Sequence, residues 1–338
     1  MSLDKIERGL NKAFLRTETE NTIPLQQDSK YVIFSDHHKG GRNRADDFQP
    51  AEENYLSALN YYHDEDWNLI LLGDTDELWE EKPATVVSKY SDVLEREALF
   101  APDRLIRVFG NHDRQWESRR YHDRYLGEYF PDNPAVEGII FTYSDEEISN
   151  SRIFLTHGHQ GTFGSDAIAP LSRFIVRVFY RQFQKLTGKG RTPSTNECLR
   201  GEHDTKMYEW AYKRHKLILI AGHTHRPVWS SRTHLEKITD NLMDLVSLPE
   251  SERPDDYEAQ LADLKAQVKK RKTIDPPCND TIKTAPCYFN TGCCRFEDGD
   301  ITGIEIDGGD IRLIKWDSDT KERIILEQST LTAIFTVL

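Results

Sequence analysis

Trp67-Asn68-Leu69-Ile70-Leu71-Leu72-Gly73-Asp74 is an apolar run that stops abruptly at Gly-Asp. The run has the length and bulk of a buried strand. Gly73 lets the chain turn without steric penalty. The Asp74 carboxylate then emerges at the strand's carboxyl end, where ligand sites gather in open α/β sheets. The same event recurs along the chain. Tyr31 to Phe34 runs into Ser35-Asp36-His37-His38, and Leu105 to Phe109 runs into Gly110-Asn111-His112-Asp113. Ile153 to Thr156 runs into His157-Gly158-His159, and Leu217 to Ala221 runs into Gly222-His223-Thr224-His225. Strands that each deliver His, Asp or Asn to one rim indicate an α/β fold with a metal site, in preference to unrelated loop histidines.

Composition narrows the class. A chain of 338 residues holds one large domain or two modest ones. With 37% hydrophobic and 30% charged residues it reads as soluble and globular. The net charge of -13 disfavours a nucleic-acid partner, which calls for a basic surface, but leaves local basic patches open. Met1 to Arg8 carries no apolar signal core, and no run approaches the roughly 20 apolar residues of a spanning helix. The cysteines are Cys198, Cys278, Cys287, Cys293 and Cys294. Their odd number and the lack of Cys-x-x-Cys argue against a disulfide framework or a zinc knuckle. A reducing cytoplasm is the expected compartment. The vicinal Cys293-Cys294 pair reads as two buried small hydrophobes, with redox activity as the alternative.

Taken in order, Leu3, Ile6, Leu10 and Phe14 predict a short amphipathic helix, followed by a polar linker; residues 1–29 form this leader. Residues 30–328 form the main domain. Lys39-Gly40-Gly41-Arg42-Asn43-Arg44 is a flexible basic loop beside the proposed rim. Helices are expected over 51–63 and within 84–99, with Pro83 in the first turn of the latter. A further helix is expected over 121–130. Residues 139–143 and 153–156 form a strand pair. Residues 164–214 break the rhythm and predict an inserted helical cap. In it Arg173, Arg177, Arg181, Lys185 and Lys189 recur every four residues, opposite Leu171, Ile175, Val178 and Leu186. Such a stripe binds anionic lipid or phosphate-bearing ligands, or is simply a solvated face. A second insertion, 233–285, predicts a helical hairpin. Its Tyr257, Leu261, Leu264 and Val268 pack on the body or, through 255–272, on a second copy in a homodimer. Two heptads are too few for a coiled coil. Residues 301–306 and 311–316 alternate around Asp307-Gly308-Gly309-Asp310, a hairpin turn.

The residues at the strand ends define the chemistry. Asp36 and His38 stand two apart, and in an extended segment such residues share a face and can grip one cation. His223 and His225 repeat the spacing. Asp74 has two oxygens and can bridge two cations; Asn111 offers an amide oxygen and His157 an imidazole. This is two cations' worth of nitrogen and oxygen donors without a thiolate. It suits manganese first, with iron, zinc or nickel as alternatives. Two metals about 3.5 to 4 Å apart clamp an in-line phosphoryl displacement and acidify a bound water. His112 is not needed as a ligand and could protonate the leaving oxygen as general acid. Asp76 or Asp113 could orient it, or could serve only to stabilise their turns.

Asp36-x-His38, Gly73-Asp74, Gly110-Asn111-His112-Asp113, His157 and Gly222-His223-Thr224-His225 stand in the order and form of the calcineurin-like metallophosphoesterase superfamily, which the chain resembles over residues 36–225. The resemblance implies a four-layer αββα sandwich. It implies one metal on Asp36, His38, Asp74 and His225, another on Asp74, Asn111, His157 and His223, and His112 as proton donor. A fainter resemblance links Gly73 to Trp79, the helical insertion after His157, and His223 to Pro227 with bacterial UDP-2,3-diacylglucosamine pyrophosphatases, which cleave a lipid-linked diphosphate at the membrane surface. The basic stripe would suit that, at the inner face of the membrane. The sequence departs from that subgroup at His112, where those enzymes usually carry arginine, and in the long 233–285 insertion.

The leading expectation is therefore a dinuclear metal-dependent hydrolase of phosphomonoesters or phosphodiesters. Hydrolysis of a lipid-linked diphosphate is the alternative. A non-catalytic scaffold on the same fold is the rival from another class, and loss of ligands would mark it; none of the seven is missing.

Overall fold

The computed structural model describes residues 3–161, 197–249, 253–254, 256–274 and 283–338. The Arg173 to Lys189 stripe, and with it most of the expected cap, lies outside the described residues.

The strands whose sequences opened the analysis are β2 (Lys30–Phe34), β3 (Asn68–Leu72), β4 (Leu105–Val108), β6 (Ser151–Thr156) and β7 (Leu217–Ala221). β2, β3 and β4 run parallel side by side. They belong to a six-stranded sheet completed by β11 (Ile301–Asp307), β12 (Asp310–Trp316) and β13 (Arg323–Thr330), in the order β13-β12-β11-β2-β3-β4. β6 and β7 are parallel neighbours in the second sheet. That sheet runs β1-β5-β6-β7-β10-β8-β9, with β1 (Thr22–Pro24), β5 (Gly138–Tyr143), β8 (Pro227–Trp229), β9 (Arg232–Thr233) and β10 (Tyr288–Thr291).

The sheets stack because each strand is apolar on both faces, and successive side chains point to opposite sides. Ile33, Ile70 and Leu72 meet Ile153, Leu155, Ile218 and Ile220 in the layer between the sheets. Their neighbours Val32, Phe34, Leu69 and Leu71 face outward against Tyr55, Leu59 and Tyr62 of α2 (Glu52–Asp64) and Val93 and Leu94 of α4 (Ser91–Ala98). On the other side Phe154, Leu217 and Leu219 pack on Ile6, Leu10 and Phe14 of α1 (Leu3–Glu20) and on Met207 and Trp210 of α6 (Glu197–Tyr212). The result is helix, sheet, sheet, helix: a mixed α/β sandwich with helices on both outer faces.

Several local readings change. The helix expected within 84–99 is two, α3 (Pro83–Lys89) and α4. They part at Tyr90, which leaves helical geometry and buries its ring while its hydroxyl donates to Asp46 at 2.8 Å. The helix expected over 121–130 is α5 (Arg119–Tyr125) and stops earlier. The polar linker contains β1, which pairs parallel with β5 at the sheet edge; three residues are too few for a period to register, and Pro24 is tolerated at an edge. A short C-terminal helix, α9 (Leu331–Thr336), seals the inter-sheet layer with Leu331, Ile334 and Phe335. The late hairpin forms as expected: Gly308 and Gly309 both take positive φ, 58° and 87°, the pair of values a type I′ turn requires. In the second insertion α7 (His234–Ser247) and α8 (Tyr257–Ile274) pack together through Ile238, Leu242, Leu264 and Val268. Cys287, Cys293 and Cys294 are buried. Among the described residues no helix is long and apolar enough to cross a membrane.

The outer face of the six-stranded sheet is tied to α2 by a charged contact. Glu305 of β11 is fully buried, accepts from Tyr62 Oη at 2.6 Å, and is gripped by the Arg323 guanidinium. Removing one partner of such a pair leaves the other without compensation, typically at 3–5 kcal/mol. Because Arg323 is partly exposed, Glu305→Ala is expected to lower the unfolding free energy by about 2–3 kcal/mol after screening. Urea denaturation measures this.

Candidate metal centre and its surroundings

The carboxyl ends of β2, β3, β4, β6 and β7 open onto one rim, shared by the two sheets. The turns that leave the strands are not extended. Asp36, His38, Asp74, His223 and His225 all have φ between 50° and 69°. This corrects the expectation that Asp36 and His38, or His223 and His225, share a face by strand pleating. β2 stops at Phe34 and β7 at Ala221. Beyond those points alternate residues enter the left-handed region, which costs on the order of 1 kcal/mol or more each for a non-glycine residue. Hydrogen bonds between turns hold the kinks: Asp36 N donates to Gly73 O at 3.0 Å, His38 N to Asp74 O at 2.9 Å, and Gly222 N to His157 O at 3.0 Å.

The side chains converge in two groups. Asp36 Oδ1 lies 3.0 Å from His225 Nε2 and 3.8 Å from His38 Nε2, and the two imidazole nitrogens are 3.3 Å apart. Asp74 Oδ2 lies 3.1 Å from His157 Nε2 and 3.8 Å from His38 Nε2, so this carboxylate touches both groups. The His157 and His223 rings stand 5.2 Å apart, and Asp74, His157 and His223 form a second set of donors close enough for one ion. Close packing brings the groups together. A Cβ on Gly73 would stand 2.7 Å from the His157 ring, and one on Gly222 would stand 2.4 Å from Asp36 Oδ2. Neither position admits a side chain.

Secondary contacts fix the donors. His157 Nδ1 donates to Leu72 O at 3.0 Å, which leaves Nε2 as the free donor atom. His223 N donates to Asp36 Oδ2 at 2.9 Å, an oxygen that also accepts from Ser35 Oγ. Asp204 of α6, buried, accepts from Thr224 Oγ1 at 3.0 Å and from Tyr288 Oη at 2.8 Å, and so anchors the Gly222–His225 turn.

The donor set fits cations. Asp36 Oδ1, Asn111 Oδ1 and His157 Nε2 are buried and lack an aligned hydrogen-bond partner, although such groups are almost always satisfied in a folded protein. Burial disfavours charge on Asp36, but His225 and His157 outweigh it and hold the carboxyl well below the usual carboxylate range. Asp74 is held low in the same way, by His157 and His112 against burial. Burial would also lower His157, yet Asp74 and Asp36 lift it to about 9. Burial and Arg295 oppose charge on His38; Asp36, Glu77 and Asp74 nonetheless raise it to about 10. By contrast, burial and Arg295 lower His225 to about 3. Ionised buried carboxylates thus draw positive charge into the rim.

His112 sits at the mouth, one-fifth exposed. Its backbone N donates to Asp74 Oδ1 at 2.7 Å. The carboxylate beside its ring is neither Asp76 nor Asp113 but Glu77, whose Oε2 is 2.7 Å from His112 Nδ1 and 3.0 Å from His38 Nδ1. Trp79 stacks on the His112 ring at 4.0 Å and donates through Nε1 to Asn111 O at 2.7 Å. Asp113 is committed elsewhere: it accepts from Gly110 N at 2.6 Å and Thr75 N at 2.8 Å. Burial, with Asp74 and Asp76 nearby, raises its carboxyl to about 6. Asp76 accepts from Trp116 Nε1 at 2.7 Å and lies 3.6 Å from Lys39 Nζ. Both thus take part in holding the turns, the alternative left open by the sequence.

Sequence reasoning missed Glu77, Trp79 and Arg295. Glu77 follows Asp74 by three residues, a spacing that says nothing until the turn is known. Arg295 had a readable signal, since the strand ending at Thr291 runs into Gly292 and then into Cys293-Cys294-Arg295, repeating the rhythm of the other strands.

The calcineurin-like phosphoesterase family profile matches residues 29–227, more than half of the chain. No curated protein matches the sequence. Similar solved structures include Vacuolar Protein Sorting 29 from Cryptosporidium parvum (12% identity over 90% of this chain and 98% of that one, TM-score 0.36). Others are a conserved protein from Streptococcus pneumoniae described as a predicted phosphoesterase (11%, 89% and 99%, TM-score 0.31) and a dimetal phosphatase from Danio rerio (9%, 89% and 99%, TM-score 0.40). All three scores lie below one half, so the assignment rests on the sequence match. On that match the chain belongs to the calcineurin-like phosphoesterase family of phosphoester hydrolases.

Proposed function

We propose that this chain hydrolyses phosphoesters with two divalent transition-metal ions at the shared rim. Asp36, His38, Asp74 and His225 would hold one, and Asp74, Asn111, His157 and His223 the other. The observation that carries this reading is the set of buried, unaligned donor atoms on Asp36, Asn111 and His157 within one rim. Oxygen and nitrogen donors without thiolate suit manganese, iron, zinc or nickel. When bound, such ions act as Lewis acids on the phosphoryl group and acidify a water. The substrate class is a phosphomonoester or phosphodiester. The lipid-linked diphosphate reading stands second because of His112 and the long 233–285 insertion; the Arg173 to Lys189 stripe that would suit it lies outside the described residues.

The chain's own residues do the rest. His112 is the general acid for the leaving oxygen. Glu77 beside Nδ1 keeps the proton on that nitrogen when the ring is neutral and stabilises the charged ring, which leaves Nε2 for transfer. Trp79 stacks on the ring and fixes its plane. Because Glu77 also meets His38, one carboxylate aligns the proton donor with a metal-holding residue.

Purified protein is expected to carry about two equivalents of transition metal and to cleave p-nitrophenyl phosphate or its bis-ester, with activity lost on chelation and restored by manganese. Elemental analysis and a colorimetric assay check this; full metal loading with no turnover on any phosphate ester counts against it. His112→Asn is expected to lower kcat by about 100-fold or more while metal content holds. Glu77→Gln keeps an acceptor for His112 and should lose less kcat than Glu77→Ala; steady-state kinetics beside metal analysis separate the two effects.

A further inference from the structure

Arg295 lies beyond the end of β10, and its side chain is largely buried, with 17% exposed. Its Nε is 3.3 Å from His225 Nδ1, and its Nη1 contacts the Asp47 carboxylate. Asp47 belongs to the loop that follows β2 and is more than half exposed, so it restrains the guanidinium weakly.

The contact with His225 uses the tautomer opposite to the one that would hold a metal through Nε2. A neutral imidazole has one N–H and one lone pair. Arg295 can donate to Nδ1 only when the proton sits on Nε2. Nε2 is the nitrogen that faces Asp36 Oδ1 at 3.0 Å. If His225 gives the Nε2 lone pair to a cation, its proton moves to Nδ1, and two donors then oppose each other. A cation held through His225 would therefore free Arg295 at the edge of the rim.

We propose that the released Arg295 recognises a terminal phosphate, and that the preferred substrate class is the phosphomonoester. This rests on the hydrolase reading above. Two cations can engage two phosphoryl oxygens. A diester has no further unsubstituted oxygen, whereas a monoester keeps a third. A guanidinium presents several N–H groups in a fixed plane, the geometry suited to that oxygen and to the extra negative charge. Lys39, another cation near the rim, is buried and paired with Glu97 at 2.9 Å.

The test uses full-length, metal-loaded protein and the variants Arg295→Ala and Arg295→Lys. Metal content, kcat and KM are measured on p-nitrophenyl phosphate and on its bis-ester, and inorganic phosphate is titrated by calorimetry. In Arg295→Ala the monoester KM is expected to rise about tenfold or more, phosphate binding to weaken in parallel, and the diester constants to stay put. Arg295→Lys, which keeps the charge but loses the planar fork, should fall between. Equal losses on both esters, or unchanged phosphate affinity, overturn the proposal. Wild-type protein that loads metal but cleaves neither ester would defeat the hydrolase reading instead, and the phosphate titration would still decide the role of Arg295.

Discussion

Two carboxylates anchor this structure. Asp36 and Asp74 are buried where two sheets share a rim, and each is reached by imidazoles from a sheet other than its own. His225 and His157 come from the strands of one sheet, Asp36 and Asp74 from those of the other. A buried ionised carboxylate is tolerated only with compensation. Here compensation comes from imidazoles, from backbone N–H groups such as those of His223 and His112, and from whatever cations the site takes. The demand for compensation links the sheets at their functional end, while the inter-sheet layer of Ile, Leu and Phe links them along their length.

The backbone conforms to that demand. Five of the converging residues accept left-handed dihedrals, and glycines at 73 and 222 leave no volume for a side chain between neighbouring turns. Strain of this kind persists only where the surroundings over-determine it. The surroundings are strands buried on both faces, which fix the turn stems, and the hydrogen bonds from turn to turn. Rigid strands, kinked ends and close glycine contacts together fix where the donor atoms stand.

Function is layered around the same point. His38 and His225 lie among the donors, and each also touches a residue of the surrounding shell. His38 meets Glu77, which meets His112. His225 meets Arg295. The proposed proton donation and anion recognition would thus be coupled to the rim through single imidazoles, each with two nitrogens in different roles.

Much of this was legible in the chain alone. An apolar run that ends in Gly-Asp reports both a doubly buried strand and a carboxylate at its tip, because burial demands continuous apolarity and the turn demands glycine. The recurrence of that event exposed the fold class and the Asp and His residues that meet at the rim. Other features required three dimensions. No local pattern says that Glu77, rather than Asp76 or Asp113, will meet His112, since that depends on how the turns after β3 and β4 lie against one another. Nor does the spacing of Asp36 and His38 show whether pleating or left-handed kinks bring them together. Arg295 reaches His225 across a sequence separation of 70, and only the pairing of β10 with β7 brings the two turns side by side. Sequence determines which groups leave each strand; the packing of one sheet on the other decides which of them touch.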